Sequence, residues 1–517
     1  MLFLKREHQN FNILSSIKKL LGQTAIYGSS SIIGRFLNFL LTPLYVIQFS
    51  NEQYGIITEM YAYVAFLVVL LTYGMETAFF RFSNNKKINF QQVYSNTLFS
   101  LFSTSSLFIL LVSLFSQDIA NLLKYPEHSE YIIWFGLIVG LDAISSIPLA
   151  YLRLQEKAKK FALINFLNVG VNISLNLFFI FYCKVNFDHG NTNWIIENFY
   201  NPDIGVGYVF ISNLISSIVK FIFLTKEMSF KGNFDFSVIK AMLQYSFPML
   251  LVGLAYVINE TLDRAMLKEI LYQQYLELGT SSSKALEKAQ SQNGIYGANY
   301  KIAMIVSMFI QAFRYASEPF FFKDGKNKTS KKTLARVMNY FTIVMIFIFL
   351  FITLYLQIFK FFINNPDYWE GLTVVPLLLG ANICLGIYTS LSIWYKLSDK
   401  TIYGAYISGF GVIVTVIVNF LLIPSYGYKA SAIATLICYS SMMTLSFVLG
   451  QRHYWVPYDL RKFFIYLAAG IIIYIISIPI DPLGNLSILE YGYHTLLLLS
   501  FLLIVFILEN PFRKKYN

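Results

Sequence analysis

The chain has 517 residues, 56% of them hydrophobic and only 13% charged, against roughly 25% charged in a soluble protein. Apolar stretches recur along its whole length and exceed the ~18–20 residues needed to cross a bilayer core. This excludes a string of soluble domains, and the net charge of +12 is distributed as in a membrane protein and not as in a nucleic-acid binder.

Residues 1–22 come first. Phe11, Ile13, Leu14, Ile17, Leu20 and Leu21 alternate there with Ser15, Lys18 and Lys19. The pattern reads equally as a helix lying on the cytoplasmic membrane surface or as a frayed tail. The first apolar stretch starts near Gln23 and is too long for the core of a cleavable signal. Membrane helices are predicted at 23–49, 54–80, 92–116, 129–152, 160–182, 204–225, 238–262, 294–315, 335–362, 368–395, 400–423, 428–450, 461–480 and 488–509. The fold class is therefore an all-α polytopic membrane protein of about fourteen transmembrane helices. The long segment 268–288 between the seventh and eighth helices is mixed in charge and rich in Ala and Glu. It predicts a helix on the outer surface. Cys183, Cys384 and Cys438 are far apart, with no disulfide or zinc spacing among them. No metal or cofactor is expected.

An even number of spans puts both termini on one side. With the termini in the cytoplasm, the cytoplasmic segments and the helix ends beside them carry most of the Lys and Arg, and the outer segments carry few. Acidic residues divide the other way, with more outside than inside. The positive-inside rule counts only the basic residues, and their excess fixes the orientation.

The chain also contains a repeat. A shift of 242 carries Tyr54-Gly55 onto Tyr296-Gly297, Glu76 onto Glu318, Phe79-Phe80 onto Phe321-Phe322 and Arg81 onto Lys323. At 243, Arg153-Leu154-Gln155-Glu156-Lys157 falls on Lys396-Leu397-Ser398-Asp399-Lys400, Ala162 on Ala405 and Asn176 on Asn419. The shift then becomes 222, with Gly205 on Gly427 and Leu214-Ile215 on Leu436-Ile437, which leaves an extra 21 residues in the loop around 186–202. Six helices per copy means parallel repeats, related by an axis along the membrane normal, with a substrate site between them. The predicted domains are an interfacial segment 1–22, an N-lobe 23–226, a pseudo-symmetric C-lobe 238–450, and two appended helices over 461–509.

Several local features then converge: the two Tyr-Gly helix starts, Ser246-Phe247-Pro248 in the seventh helix, Asp263-Arg264 at its outer end, and the basic-Leu-x-acidic-Lys loops after the fourth and tenth helices. With two six-helix lobes plus two helices, the chain resembles the polysaccharide-transporter branch of the MOP superfamily, which includes the Wzx-type O-antigen flippases. The resemblance implies a bacterial inner-membrane protein that moves undecaprenyl-diphosphate-linked oligosaccharide from the inner to the outer leaflet by alternating access. The cargo would be an O-antigen (lipopolysaccharide), capsule or exopolysaccharide repeat unit. It implies membrane lipid as surroundings, and the polymerase and glycosyltransferases of the same pathway as partners. It implies no nucleic acid.

Charges inside spans cost about 2.5–3.5 kcal/mol at mid-bilayer and usually face protein or water. They are the site candidates. Arg35 lies mid-way along the first helix, and a guanidinium grips phosphate oxygens in a bidentate fork; the alternative is a structural partner such as Asp142. Glu59 falls on Lys301 at the repeat shift, so the two predict either a gate pair or separate partners within each lobe. Ser307, Gln311, Arg314 and Glu318 are spaced 4, 3 and 4 on the eighth helix, one polar face. That face lines a cavity, or Arg314 and Glu318 simply neutralise one another. Lys301, Arg314 and Gln311 join Arg35 as candidate substrate contacts. Glu59, Asp142, Glu318, Asp263 and Arg264 are candidates for gating or coupling, with an ordinary ion pair as the alternative for Asp263 and Arg264. Lys220, near the inner end of the sixth helix, is expected to snorkel. A cleft lined by the first, second, seventh and eighth helices follows from the repeat and these charges.

Three rival functions are weighed. A membrane glycosyltransferase or polymerase would need catalytic groups in a large outer loop; the largest here has no histidine and no compact acidic pair, so an enzyme is not expected. A multidrug or cation antiporter of the same superfamily would use lobe carboxylates such as Glu59 or Asp142. A lipid II flippase would also have fourteen helices, with a denser set of cavity arginines.

Overall fold

In a computed structural model the described residues are 30, 32–83, 88–324, 328–398, 400–478 and 487–509, with the side chains of 315–330 outside the description. The expected interfacial segment 1–22 lies outside it as well. The described chain is helical, and twelve of its helices are long and apolar enough to cross a membrane. In chain order the long helices are α1 (Ile32–Gln48), α2 (Asn51–Ser83), α3 (Phe90–Leu114), α4 (Ser129–Leu154), α5 (Ala158–Asp188) and α6 (Gly207–Glu227). They continue as α7 (Phe236–Glu277) and α8 (Ser282–Asp324). The last six are α9 (Lys331–Leu354), α10 (Pro366–Leu397), α11 (Ile402–Tyr426), α12 (Tyr428–His453), α13 (Leu460–Ser477) and α14 (Ile488–Glu509). The twelve match twelve of the predicted spans. The described part of α1 is shorter than a span, and α8 is a 43-residue helix outside the apolar set. The protein is a multi-pass membrane protein.

The helices α7 and α8 depart from expectation. They run 42 and 43 residues without interruption, more than 60 Å each at about 1.5 Å per residue, or about twice a bilayer core. The segment 268–288 is thus the continuation of both helices and not a separate surface helix. The reason is periodic: Leu267 and Leu271 are buried and four apart, and Glu260, Arg264 and Lys268 repeat at the same interval. Beyond Lys268 no Pro or Gly occurs until Gly279, whose φ of +81° ends the run.

The chain divides into two compact units, 1–41 with 63–254 and 42–62 with 255–517. The division falls inside α2 and α7. In the first unit α2 breaks where Tyr73 and Gly74 take φ of +32° and +70°. The break turns Met75–Ser83 under α3, α4 and α7, around a core of Phe79, Leu98, Tyr94 and Ile147. The segment that joins the repeats is stitched to the first turns of α3. Gln91 donates to Ser229 (2.8 Å), Gln92 to Asp235 (3.2 Å), and Asn96 to the Asn233 carbonyl (3.0 Å). Hydrogen bonds from the Ser237 hydroxyl and amide hold the Asp235 carboxyl below its usual pKa.

In the second unit α10, α11 and α12 pack around Trp394, Tyr388, Ile407 and Met442. The pair α13 and α14 is bound to α9 through Ile346, Leu350, Tyr466 and Phe501. One carboxylate fastens the three: Glu509 accepts from Lys462 (2.6 Å), Tyr466 (2.8 Å) and Asn339 (2.8 Å).

Candidate functional site

The second unit concentrates buried polar chemistry where the Asn51 end of α2 crosses α8. Small residues make the crossing possible. A Cβ on Gly55 would lie 2.0 Å from the Gln290 carbonyl oxygen, and one on Gly294 1.9 Å from that of Asn51. A Cβ on Gly297 would lie 2.5 Å from the Thr58 hydroxyl. Asn51, Gly55 and Thr58 thus meet Gln290, Gly294 and Gly297, both sets spaced four and three. Backbones in contact through small residues are a recurrent way to join membrane helices, where no hydrophobic force favours association. The N-terminal end of α10 holds the crossing from the side. Asn51 donates to the Asp367 carbonyl (3.0 Å), Tyr368 to the Phe49 carbonyl (3.0 Å), and Asn299 to the Tyr368 carbonyl (2.9 Å).

Beside the crossing stands a buried ion pair. Glu59 is 0% exposed and its Oε1 lies 3.0 Å from Nζ of Lys268, itself 3% exposed, on α7. The pairing of Glu59 with Lys301 suggested by the repeat is therefore not the one formed. Lys301 sits half-buried on α8, with Arg264 and Glu260 as the charges that act on it. It has no ion pair among the described residues.

Asp263 and Arg264 are both buried one turn earlier on α7. Asp263 accepts from the Tyr296 hydroxyl (2.5 Å) and from the Arg264 amide (2.9 Å). The Arg264 guanidinium reaches the Glu260 carbonyl and lies 4.5 Å from the Tyr300 ring centroid, a cation–π contact. Tyr54, the repeat counterpart of Tyr296, hydrogen-bonds Thr42. Each Tyr-Gly start thus ties its helix to the preceding one, once through a hydroxyl and once through a carboxylate.

On α8, Ser307 donates to Asn382 (3.2 Å) and Gln311 is half-buried. Arg314 is exposed and makes no ion pair among the described residues, while the Glu318 side chain lies outside them. In the first unit Arg35 is exposed on α1 and has no ion pair among the described residues. Asp142, its alternative structural partner, is taken: Lys220 donates to it at 2.7 Å and Ser217 at 2.9 Å. Lys220 is thus bound within the protein and does not simply snorkel. Glu76 is also engaged, 2.5 Å from Arg153.

Sequence reasoning missed the role of Lys268, which it placed in a separate surface helix, and of Gly294, which has no glycine counterpart in the first repeat. The signal for Lys268 was present in the four-residue interval from Glu260 through Arg264. Among the described residues no cluster of His, Cys, Asp and Glu could hold a metal.

Residues 20–324 match the sequence profile of polysaccharide biosynthesis proteins. No curated protein sequence matches the chain. Its fold is similar to that of the lipid II flippase MurJ in an inward closed conformation, with TM-score 0.64, 14% identity, and 93% of this chain and 98% of that one covered. It is also similar to an inward-facing multidrug resistance MATE family transporter of the MOP superfamily, with TM-score 0.62, 12% identity, and 83% and 94% covered. A third likeness is to a mutant form of the Vibrio cholerae MATE transporter VcmN, with TM-score 0.52, 13% identity, and 84% and 96% covered. The chain belongs to the polysaccharide biosynthesis protein family and has the transporter fold of the MOP superfamily.

Proposed function

We propose that the protein is a flippase that carries an undecaprenyl-diphosphate-linked oligosaccharide from the inner to the outer leaflet of a bacterial inner membrane by alternating access. One observation supports this reading above the others. The span cations Arg35 and Arg314 have no carboxylate partner among the described residues, whereas Asp142, Glu76, Glu59 and Asp263 are all engaged. Guanidinium groups in membrane helices suit an anionic cargo, and a diphosphate offers them oxygens in matching geometry. A cation antiporter would instead need carboxylates free to load and release ions.

Arg35 is the first candidate contact for the cargo headgroup, and Arg314, Gln311 and Lys301 are the candidates on α8. Both termini are cytoplasmic, as the basic residues require. The α2–α8 crossing, with Glu59 and Lys268, then lies on the outer side. It is the outer gate in its closed state, and it opens each time a headgroup leaves. The oligosaccharide is the polymerase's substrate once outside.

The test is reconstitution into vesicles with a labelled undecaprenyl-diphosphate oligosaccharide. The expected result is protein-dependent transfer of the label between leaflets, saturable by unlabelled lipid-linked sugar and not by cationic drugs. Drug transport without lipid transfer would overturn the reading.

A further inference from the structure

The 21 residues that the first repeat has and the second lacks form a built surface. The helix α5 ends in a π-helical stretch, Leu177–Lys184, and one more α-turn, Val185–Asp188. The chain returns to α6 through the short helix Trp194–Phe199 and a 3-10 turn, Pro202–Ile204. Every part is tethered. The Asn193 side chain accepts from the amides of Ile195 (3.0 Å) and Ile196 (3.1 Å) and donates to the Tyr182 hydroxyl (2.9 Å). The Asn201 amide donates to the Tyr208 hydroxyl (2.6 Å). The rings of Tyr200, Tyr208 and Phe179 stack in a column, with centroids 5.1 and 4.5 Å apart.

The tethering sets the two faces of the short helix. Ile196 points inward and is 1% exposed, while Trp194 is 69% and Phe199 56% exposed, with Ile195 beside them. At about 100° per residue these three lie within an arc of about 140°, with exposed Asn198 among them. Glu197 lies just beyond the arc, about 60° from Trp194, and is also exposed. The depth follows from α6, which is 21 residues long from Gly207, about one bilayer thickness. The short helix, a few residues before Gly207, stands at the level where the bilayer ends. A Trp and a Phe with an Ile on a face turned away from the protein, at that level, match the amphipathic aromatic belt of a membrane interface. The second repeat makes the same connection without these residues, since Gly427 directly follows α11. The fold does not need them.

We propose that Trp194, Ile195 and Phe199 form an anchor that inserts into the outer-leaflet interface and gives the first repeat a foothold that the second lacks. The side of the membrane rests on the orientation given under Proposed function; the insertion does not.

The test places a cysteine at one position at a time, Trp194→Cys, Phe199→Cys and Glu197→Cys. Cys183 and Cys438 are buried and Cys384 half-buried, so unmodified protein supplies the background. A nitroxide on each is examined in vesicles of phosphatidylethanolamine and phosphatidylglycerol. Collisions with oxygen relative to a water-soluble nickel chelate should be several-fold more frequent at 194 and 199 than at 197. Equal, water-like ratios at all three positions would overturn the anchor. So would water-like ratios at 194 and 199 that fall only when free oligosaccharide is added, which would make the occupant a glycan. A membrane-impermeant maleimide in intact cells reads the side separately through Glu197→Cys. Labelling only after lysis would overturn the outer location and the orientation with it, while the depth contrast would still report insertion.

Discussion

Glu59 on α2 pairs with Lys268 on α7 at 3.0 Å, both fully buried, although the repeat superimposes Glu59 on Lys301. The two positions related by the repeat carry opposite charges, but the partner of the first is a residue that the repeat does not supply.

This relationship makes the pair a testable gate element. Removing one member of a buried pair leaves an uncompensated charge at about 3–5 kcal/mol. Glu59→Lys and Lys268→Glu should each abolish lipid transfer in vesicles, while the double reversal restores part of it. The double reversal of Glu59 and Lys301 should restore nothing. Additive losses in the Glu59–Lys268 cycle would show that the pair has no role in closing the gate.

The glycine crossing gives a second prediction. Gly294→Ala places a Cβ against the Asn51 carbonyl, with no side chain to move aside. Overpacking of this kind costs about 1–3 kcal/mol, enough to shift a two-state equilibrium roughly tenfold or more. The variant should favour the state in which α2 and α8 are parted. A cysteine at Thr58 should then react faster with an impermeant maleimide, and transfer should slow. Unchanged labelling and unchanged transfer would mean that the crossing does not part during the cycle.

Arg35 should act through both charge and geometry. Hydrogen bonds to charged groups contribute about 1.5–3 kcal/mol each, so Arg35→Ala should reduce transfer by about tenfold or more while the protein still inserts. Arg35→Lys keeps the charge but not the bidentate fork and should recover only part. Full activity in Arg35→Ala removes the residue from the site.

Much of this was legible in the sequence because membrane helices are written in length and composition. Twelve spans, the C-terminal pair and the family all follow from apolar runs and a few repeated dipeptides. The extent of α7 and α8 was not, because beyond the bilayer the apolar signal stops while the helix continues on Leu267, Leu271, Ala285 and Ala289. The partners of buried charges were hidden for a different reason. Repeat equivalence relates Glu59 to Lys301 by position, but contact depends on which neighbouring side chain reaches it, and α7 brings Lys268 to Glu59. Asp142 likewise meets Lys220 of α6 through packing that no spacing in the sequence announces.

The last prediction concerns energy. If the cargo is a diphosphate and no cation is coupled to its transport, the membrane potential itself should drive export. A negative charge moving from the negative interior to the positive exterior gains about 2.3 kcal/mol per 100 mV. Two charges would then favour the outer leaflet by several kcal/mol, provided the protein carries none back. Arg35, and Arg314 if it moves with the headgroup, would return inward after release, and that step would offset part of the gain. The net drive therefore depends on how many cavity cations cross the field. The rival is a proton or sodium ion carried on Glu59, Asp142 or Glu318. Glu59 and Asp142 would first have to leave Lys268 and Lys220, at 3.0 and 2.7 Å. Proteoliposomes separate the two mechanisms. A potassium-diffusion potential, negative on the side that holds the labelled lipid-linked sugar, is imposed at equal pH and equal sodium. The rate at which the sugar reaches the positive side should rise with the potential and fall when its sign is reversed. A rate indifferent to potential and accelerated by a pH or sodium gradient would establish cation coupling and overturn the electrophoretic account.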